Sequence, residues 1–519
     1  MISLSRSLLL PFSPSPLLPF SPSPLLPLSR FLLLSLALSL ILPISAATHA
    51  APAPPAKPNI VYILADDLGW TDLACQGSSY YATPHLDRLA AQGVRMLRYY
   101  NSQNCAPTRA ALMSGQYAPR TGIYTVNTLE RGEPADRRMK VPANVNQLPL
   151  DKFILPQALK AAGYATGMFG KWHLGNAGDY HPSRRGFDEA LVSDSKHFDF
   201  TTTPPAAYPA GQYFADFVTD RAVDFIGRHR DQPFFLYVPH FAVHTPIQAK
   251  PEYIAAWEKK RPEGTHWNPT YAAMIQSVDE SVGRIVARLE ELKLADNTVI
   301  IFSSDNGGLG GYQSTEAPSE KKGFTDNSPL RGGKGTLYEG GTRVPFIVRW
   351  PGVVPAGRTS EVPVAHVDVY PTLLDLAGGT PRAGYTLDGV SFAPVLRNPS
   401  ATLPREAIYW HFPGYLESYV HPRGWRTSPV GAIHAGEFKL LEFFETGTVE
   451  LYNLRDDIGE SRNLAAQAPA KALELRAQLA AWRTQIGAAM PTMKTVAELA
   501  ATPAASSTGK LGKKKQSQD

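Results

Sequence analysis

The chain reads as an α/β protein: a large, mainly parallel central sheet flanked by helices, with a smaller C-terminal α+β region carrying an antiparallel sheet. Three observations predict this. Short apolar runs rich in β-branched residues, such as 59–65 (NIVYILA) and 298–303 (TVIIFS), are continuous rather than alternating, as expected of strands buried on both faces. These runs alternate with segments of helical apolar spacing. After about residue 400 the alternation gives way to strands joined by short loops.

The elements follow in order. Residues 1–50 are a secretory signal rather than fold. Arg6 and Arg30 are their only Lys or Arg residues, and a short apolar run at 31–42 leads to Pro43 and the mainly small residues of 45–50, with cleavage near Ala50. The run is shorter than a span of about 20 residues, so no stable membrane span is expected and the chain is read as exported, periplasmic or secreted; the alternative is an uncleaved N-terminal anchor. The repeat LLPFSPSP at 9–16 and 17–24 is low-complexity and cannot pack as a helix. A catalytic domain at 51–400 begins with strand 59–65, which stops at Asp66-Asp67-Leu68-Gly69. Residues 83–93 form a helix with Thr83 as cap, Pro84 in the first turn and Gly93 as stop. A second helix opens at Pro107 and closes at Gly115. Helices at 155–163, 217–229 and 271–292 lead into strands at 164–169, 233–238 and 298–303, and a further strand lies at 344–350. The region 401–495 holds strands at 407–412, 432–444 and 449–454 and an amphipathic helix at 470–486. Residues 496–519 read as a disordered basic tail.

The net charge of +5 is misleading, because the signal and the tail carry it and leave the body near neutral. A nucleic-acid partner, which requires a basic face, is therefore not expected. Cys75 and Cys105 are the only cysteines, enough for one disulfide in an exported chain, but Cys105 has a better use.

Ligands of open α/β sheets sit outside the carboxyl ends of the strands. Here four strands end in reactive residues. The first delivers Asp66 and Asp67, 164–169 delivers Lys171 and His173, 233–238 leads to His240 and His244, and 298–303 delivers Asp305 and Asn306. Asp66, Asp67, Asp305 and Asn306 are oxygen ligands and suit a hard cation, Ca²⁺ or Mg²⁺, better than zinc. Either Asp turn alone reads as an ordinary capped turn; the pattern at two strand ends favours a metal. Cys105 heads a helix in the frame Cys105-Ala106-Pro107-Thr108-Arg109, where free N–H groups and Arg109 make a pocket for an anion. The alternative for Cys105 is a buried core cysteine.

That frame resembles the type I sulfatase signature of the alkaline phosphatase superfamily, in which the cysteine is oxidised to Cα-formylglycine by a maturation enzyme. The following AALMSGQYAPRTG (110–122) is similar to the family's second element, departing at Gln116, while Thr108 stands where serine is commoner. Lys171-Trp172-His173-Leu174-Gly175, the stretch 333–341 (GKGTLYEGG) and Glu450-Leu451-Tyr452-Asn453-Leu454 are further matches, and the likeness runs from about Lys57 to Leu464. It implies a sulfatase acting on sulfate monoesters, carbohydrates or sulfated glycans being the preferred class. Asp66, Asp67, Asp305, Asn306 and the modified Cys105 would be metal ligands, usually for one calcium ion. Arg109, Lys171, His173, His244 and Lys334 would form the catalytic and sulfate-binding set. His244 is preferred to His240 because His244-Thr245-Pro246 resembles the family's His-x-Pro element; Ser195 and His197 are weak candidates for a further sulfate contact, and His366 reads as structural. In the implied mechanism a hydroxyl of the hydrated aldehyde attacks sulfur, His244 protonates the leaving alcohol, and His173 takes the proton that lets sulfate depart.

Two other readings remain open: a phosphate- or phosphonate-ester hydrolase of the same superfamily, and a silent carbohydrate-binding scaffold. Loops 124–150, 176–215 and 309–330 are expected to shape the pocket. Their Arg131, Arg137, Arg138, Lys140, Arg184, Arg185, Lys321 and Lys322 read either as polyanion contacts or as solvated surface.

Overall fold

Every residue of the first apolar run is buried, and alternate side chains enter different cores. Ile60, Tyr62 and Leu64 join one apolar cluster, while Val61, Ile63 and Ala65 join another. This is the signature of a strand covered on both faces, and it explains the missing alternation. The computed structural model describes residues 57–193, 196–310, 323–418 and 424–501. The signal expected at 1–50, Ser195, Lys321, Lys322 and the lysines of the C-terminal tail lie outside the described residues.

The main sheet contains β1 (Asn59–Ala65), β2 (Val94–Met96), β3 (Ala165–Gly170), β4 (Glu189–Val192), β5 (Phe234–Pro239), β6 (Thr298–Ser304), β7 (Phe346–Arg349) and β8 (Arg358–Ser360). Their spatial order is β8-β2-β7-β6-β1-β5-β3-β4. β6, β1, β5, β3 and β4 are mutually parallel, with Ile60 opposite both Phe235 and Val299; β7 alone runs antiparallel to its neighbours. Helices α1 (Pro84–Ala91), α4 (Phe214–Arg228) and α5 (Pro269–Glu291) pack on one face. Helices α2 (Cys105–Ser114), α3 (Leu155–Ala161) and α6 (Val369–Leu376) cover the other. Among the described residues, no helix is long and apolar enough to cross a membrane.

A four-stranded antiparallel sheet follows: β9 (Ala407–Phe412), β10 (Val430–Ala435), β11 (Phe438–Phe443) and β12 (Val449–Asn453), in sequence order. With α7 (Pro469–Gln485) it builds a third core that also takes in Tyr100, Ala111 of α2 and Leu337. The run 432–444, read as one strand, is a hairpin, because Gly436 turns the chain at φ 59°. Other corrections are local. Thr83 occupies the cap position of α1, but its hydroxyl accepts from Ala74 N–H and bonds Asp87 instead of capping the helix. α2 begins at Cys105 itself, two residues before Pro107. Residues 496–501, expected to open the disordered tail, form a short helix. β2, β4 and β8 are three or four residues long, too short to show a period in sequence.

Three buried charges tie the second sheet to the first region. Lys439 of β11 has no exposed side-chain surface and lies 2.8 Å from Glu339 Oε1 and 3.1 Å from Glu460 Oε1. Glu339 also accepts from the Tyr100 hydroxyl at 3.0 Å, and Glu460 Oε2 accepts from Glu339 N–H at 2.7 Å. Lys439→Ala should lower the free energy of unfolding by about 3–5 kcal/mol, because it strands two buried carboxylates. Lys471→Ala, which removes an exposed pair with Glu474, should cost under about 1 kcal/mol. Urea unfolding of both variants checks this; equal losses would contradict it.

Candidate active site

The backbone ladder of the sheet continues past the strand ends and so fixes the residues beyond them. Asp66 N–H donates to Ala242 O (3.0 Å), Asp305 N–H to Ala65 O (3.2 Å), Lys171 N–H to Pro239 O (2.7 Å) and His240 N–H to Leu64 O (2.8 Å). The approach at Gly170 is so close that a Cβ there would lie 1.9 Å from Pro239 O. Ser304 links two of the ends: its hydroxyl accepts from Leu68 N–H and donates to Asn306 O, each at 2.9 Å. Lys334 arrives from a glycine-rich loop clasped by Asn327, whose amide nitrogen donates to Gly308 O, Gly310 O and Gly332 O.

These elements bring Asp66, Asp67, Cys105, Arg109, Lys171, His173, His244, Asp305, Asn306 and Lys334 to one edge of the sheet. All of these are buried except His173, which is partly buried. Arg109 grips the cluster, its Nε and Nη2 donating to Asp305 Oδ2 at 2.9 and 2.7 Å, its Nη1 to Lys171 O at 2.7 Å, with Asp66 Oδ2 3.3 Å from Nη2. Lys171 Nζ is 2.5 Å from Asp66 Oδ2. Lys334 Nζ donates to Asp67 Oδ2 at 2.9 Å and lies 3.0 Å from His244 Nε2. Asn306 Nδ2 donates to Asp67 Oδ1 at 2.8 Å.

Burial and neighbouring charges oppose each other here. Burial favours the neutral form of Asp66, but Lys171, His244, Arg109 and Lys334 together hold it well below the usual carboxylate range. Asp305 is raised by burial and by the Asp66 charge, despite Arg109. Burial pushes the Cys105 thiol up to about 11, with Lys171 and Lys334 pulling the other way. Burial, then Lys334 and Lys171, lowers His244 to about 4. His173 falls well below its ordinary value for the same reason, with Lys171 and Arg109 adding to burial. Both shifts favour the neutral imidazole.

The cluster fits a cation. Single ligand atoms of Asp66, Cys105 and Asp305 lie within 4.8 Å of one another, as do those of Asp66, Asp67 and His244. Asp66 Oδ1 and Asn306 Oδ1 are buried without a hydrogen-bond partner. Oxygen donors in this number suit a hard divalent ion.

Other candidates lie elsewhere. His240 is fully buried with neither ring nitrogen hydrogen-bonded, and burial lowers it to about 4. His197 Nε2 donates to the His244 backbone carbonyl at 2.8 Å, its ring stacked on Tyr213. His366 is buried against the Ser102 hydroxyl at 3.1 Å. Cys75 and Cys105 are both free thiols. Arg185 spends its guanidinium on the carbonyls of Leu148, Pro149 and Lys152, and Lys140 pairs with Glu498. Gln116, the departure in the second signature element, donates to Thr386 O. Ser304 and Asn327, which brace the strand ends and the glycine-rich loop, carry no motif in sequence; only the three-dimensional hydrogen bonds reveal them.

The family model described as Sulfatase matches residues 58–379, and one described as N-sulphoglucosamine sulphohydrolase, C-terminal, matches 333–485. A sulfatase of Formosa agariphila is 34% identical over 85% of this chain and 91% of its own length. N-acetylgalactosamine-6-sulfatase of Sus scrofa is 36% identical over 68% of this chain and 69% of its own. The solved structure of Ps i-CgsB in complex with k-i-k-neocarrahexaose matches at 30% identity and TM-score 0.69, covering 82% of this chain and 92% of that one. The chain belongs to the sulfatase family of the alkaline phosphatase superfamily, enzymes that hydrolyse sulfuric esters.

Proposed function

We propose that this enzyme is an exported hydrolase of carbohydrate sulfate monoesters whose nucleophile is a formylglycine made from Cys105. One observation carries the reading: Cys105, fully buried at the head of α2, stands in one ligand cluster with Asp66 and Asp305, beside Arg109, Lys171 and Lys334. The carbohydrate class draws support from relatives whose names specify N-acetylgalactosamine 6-sulfate and a carrageenan-type oligosaccharide. Export rests on the signal read at 1–50.

Asp66, Asp67, Asp305 and Asn306, with residue 105, would hold a divalent cation, calcium before magnesium, which when bound supplies Lewis-acid polarisation. The hydrate of a formylglycine supplies one hydroxyl to attack sulfur and a second whose deprotonation lets sulfate leave. Lys171 and Lys334 are the groups placed to take charge from the sulfuryl oxygens, since each ammonium now rests on a carboxylate that an anion would displace or share. Arg109 keeps the carboxylates apart and in place. His244 Nδ1 lies 2.6 Å from Thr245 O, a carbonyl that only accepts, so the ring proton sits on Nδ1 and Nε2 faces Lys334 Nζ. The Lys334–His244 pair thus holds a proton for the departing alcohol. His173, neutral and with Nδ1 unpartnered, serves as the base.

Peptide mass analysis across residue 105 should find about 18 Da missing relative to cysteine, and Cys105→Ala should fold but not turn over. Active enzyme with an unmodified thiol would sink the mechanism. Chelation should abolish turnover and lower the unfolding midpoint, with calcium restoring both; cation at about a hundredfold above its Kd stabilises by about 2.7 kcal/mol. Full activity in chelator would refute the cation. Desulfation of defined sulfated monosaccharides and oligosaccharides should exceed that of a simple aryl sulfate in kcat/KM; the reverse order would remove the carbohydrate reading.

A further inference from the structure

Asp67 sits at φ 63°, in the left-handed region that side chains with a Cβ avoid. In this conformation its Oδ1 meets Asn306 Nδ2 and its Oδ2 meets Lys334 Nζ. Something must hold the turn there, and the restraint lies behind it, away from the reacting groups.

Asp72 is fully buried beneath the turn. Its Oδ2 accepts from Gly69 N–H at 2.7 Å and from the Tyr271 hydroxyl at 2.7 Å, and its Oδ1 from the Thr325 hydroxyl at 2.5 Å. The Tyr271 oxygen also lies 3.2 Å from the backbone carbonyl of Asp67. Tyr271 belongs to the 23-residue helix α5, whose apolar side is built into the core. His266 closes the cluster, its Nε2 3.4 Å from Asp72 Oδ1 and its ring stacked on Tyr81. One turn is thus fixed at two points, Asp67 C=O and Gly69 N–H, by a carboxylate and a phenol in dry surroundings.

We propose that Asp72 and Tyr271 are positioning residues for the cation: they lock the turn with Asp67 in its left-handed form before the ion arrives, so that binding requires no rearrangement. The proposal rests on the cation reading above.

The test is calcium titration by calorimetry on chelator-stripped enzyme. Tyr271→Phe removes only the hydroxyl and should raise the calcium Kd by about tenfold or more. Turnover should return when calcium is raised well above the new Kd, which damage to the fold would not allow. Tyr81→Phe is the control: its hydroxyl sits in the same cluster, 3.4 Å from Thr325 Oγ1, and it should leave Kd within about twofold. Asp72→Asn should weaken calcium as Tyr271→Phe does, and carries the test alone if that variant does not fold. Wild-type enzyme that binds no calcium would overturn the cation reading and this one together. Wild type that binds calcium while Tyr271→Phe binds it equally well would overturn the positioning role alone. So would a Tyr81→Phe loss equal to that of Tyr271→Phe, or turnover that excess calcium fails to restore.

Discussion

Three carboxylates and three cations share a volume from which water is nearly excluded, and the fold is arranged around cancelling their fields. Burial alone would neutralise or expel unpaired carboxylates. Arg109, Lys171 and Lys334 oppose this, yet they come from a helix, a strand end and a glycine-rich loop that are distant in sequence. The placement of β1 between β5 and β6 is what allows these contributions to meet. Three basic side chains set against three acidic ones offset much of each other's field. On the proposed reading, the cation supplies the excess positive charge that draws an anionic ester inward.

The C-terminal sheet serves the same balance from a distance. Glu339, five residues after Lys334, is locked by Lys439, and Tyr338 donates to Glu450 at 2.8 Å. The segments 333–341 and 450–454, which look like separate motifs in sequence, therefore meet in space. A close backbone approach tightens the loop further: a Cβ at Gly307 would lie 1.7 Å from Gly340 O. Lys334 is held by its loop, by Asn327 within the clasp and by a buried ion pair from another sheet.

Much of this was legible from sequence because strand ends announce themselves. A continuous apolar run that stops at Asp-Asp or Asp-Asn marks both the strand and what it delivers, and the Cys105 frame marks the helix head. The supports were not legible. Asp72, Tyr271, Ser304 and Asn327 act through contacts between residues far apart in the chain, and each looks like ordinary turn or helix composition locally. Lys439 and Glu460 lie in segments that otherwise read as strand and loop, so their buried pairing could not be anticipated. The bond from the His197 ring to the His244 backbone is likewise visible only in three dimensions. The hairpin within 432–444 is hidden in sequence because a single glycine, Gly436, is the turn between two strands of similar composition.

The central claim is that the group at residue 105 attacks sulfur, with charge collected by Lys171 and Lys334, rather than that water attacks the carbon of the ester. Turnover in heavy-oxygen water separates the two. Solvent oxygen should appear in the released sulfate, and the alcohol should retain the original bridging oxygen. Solvent label in the alcohol would show that the carbon–oxygen bond is broken and would contradict the account.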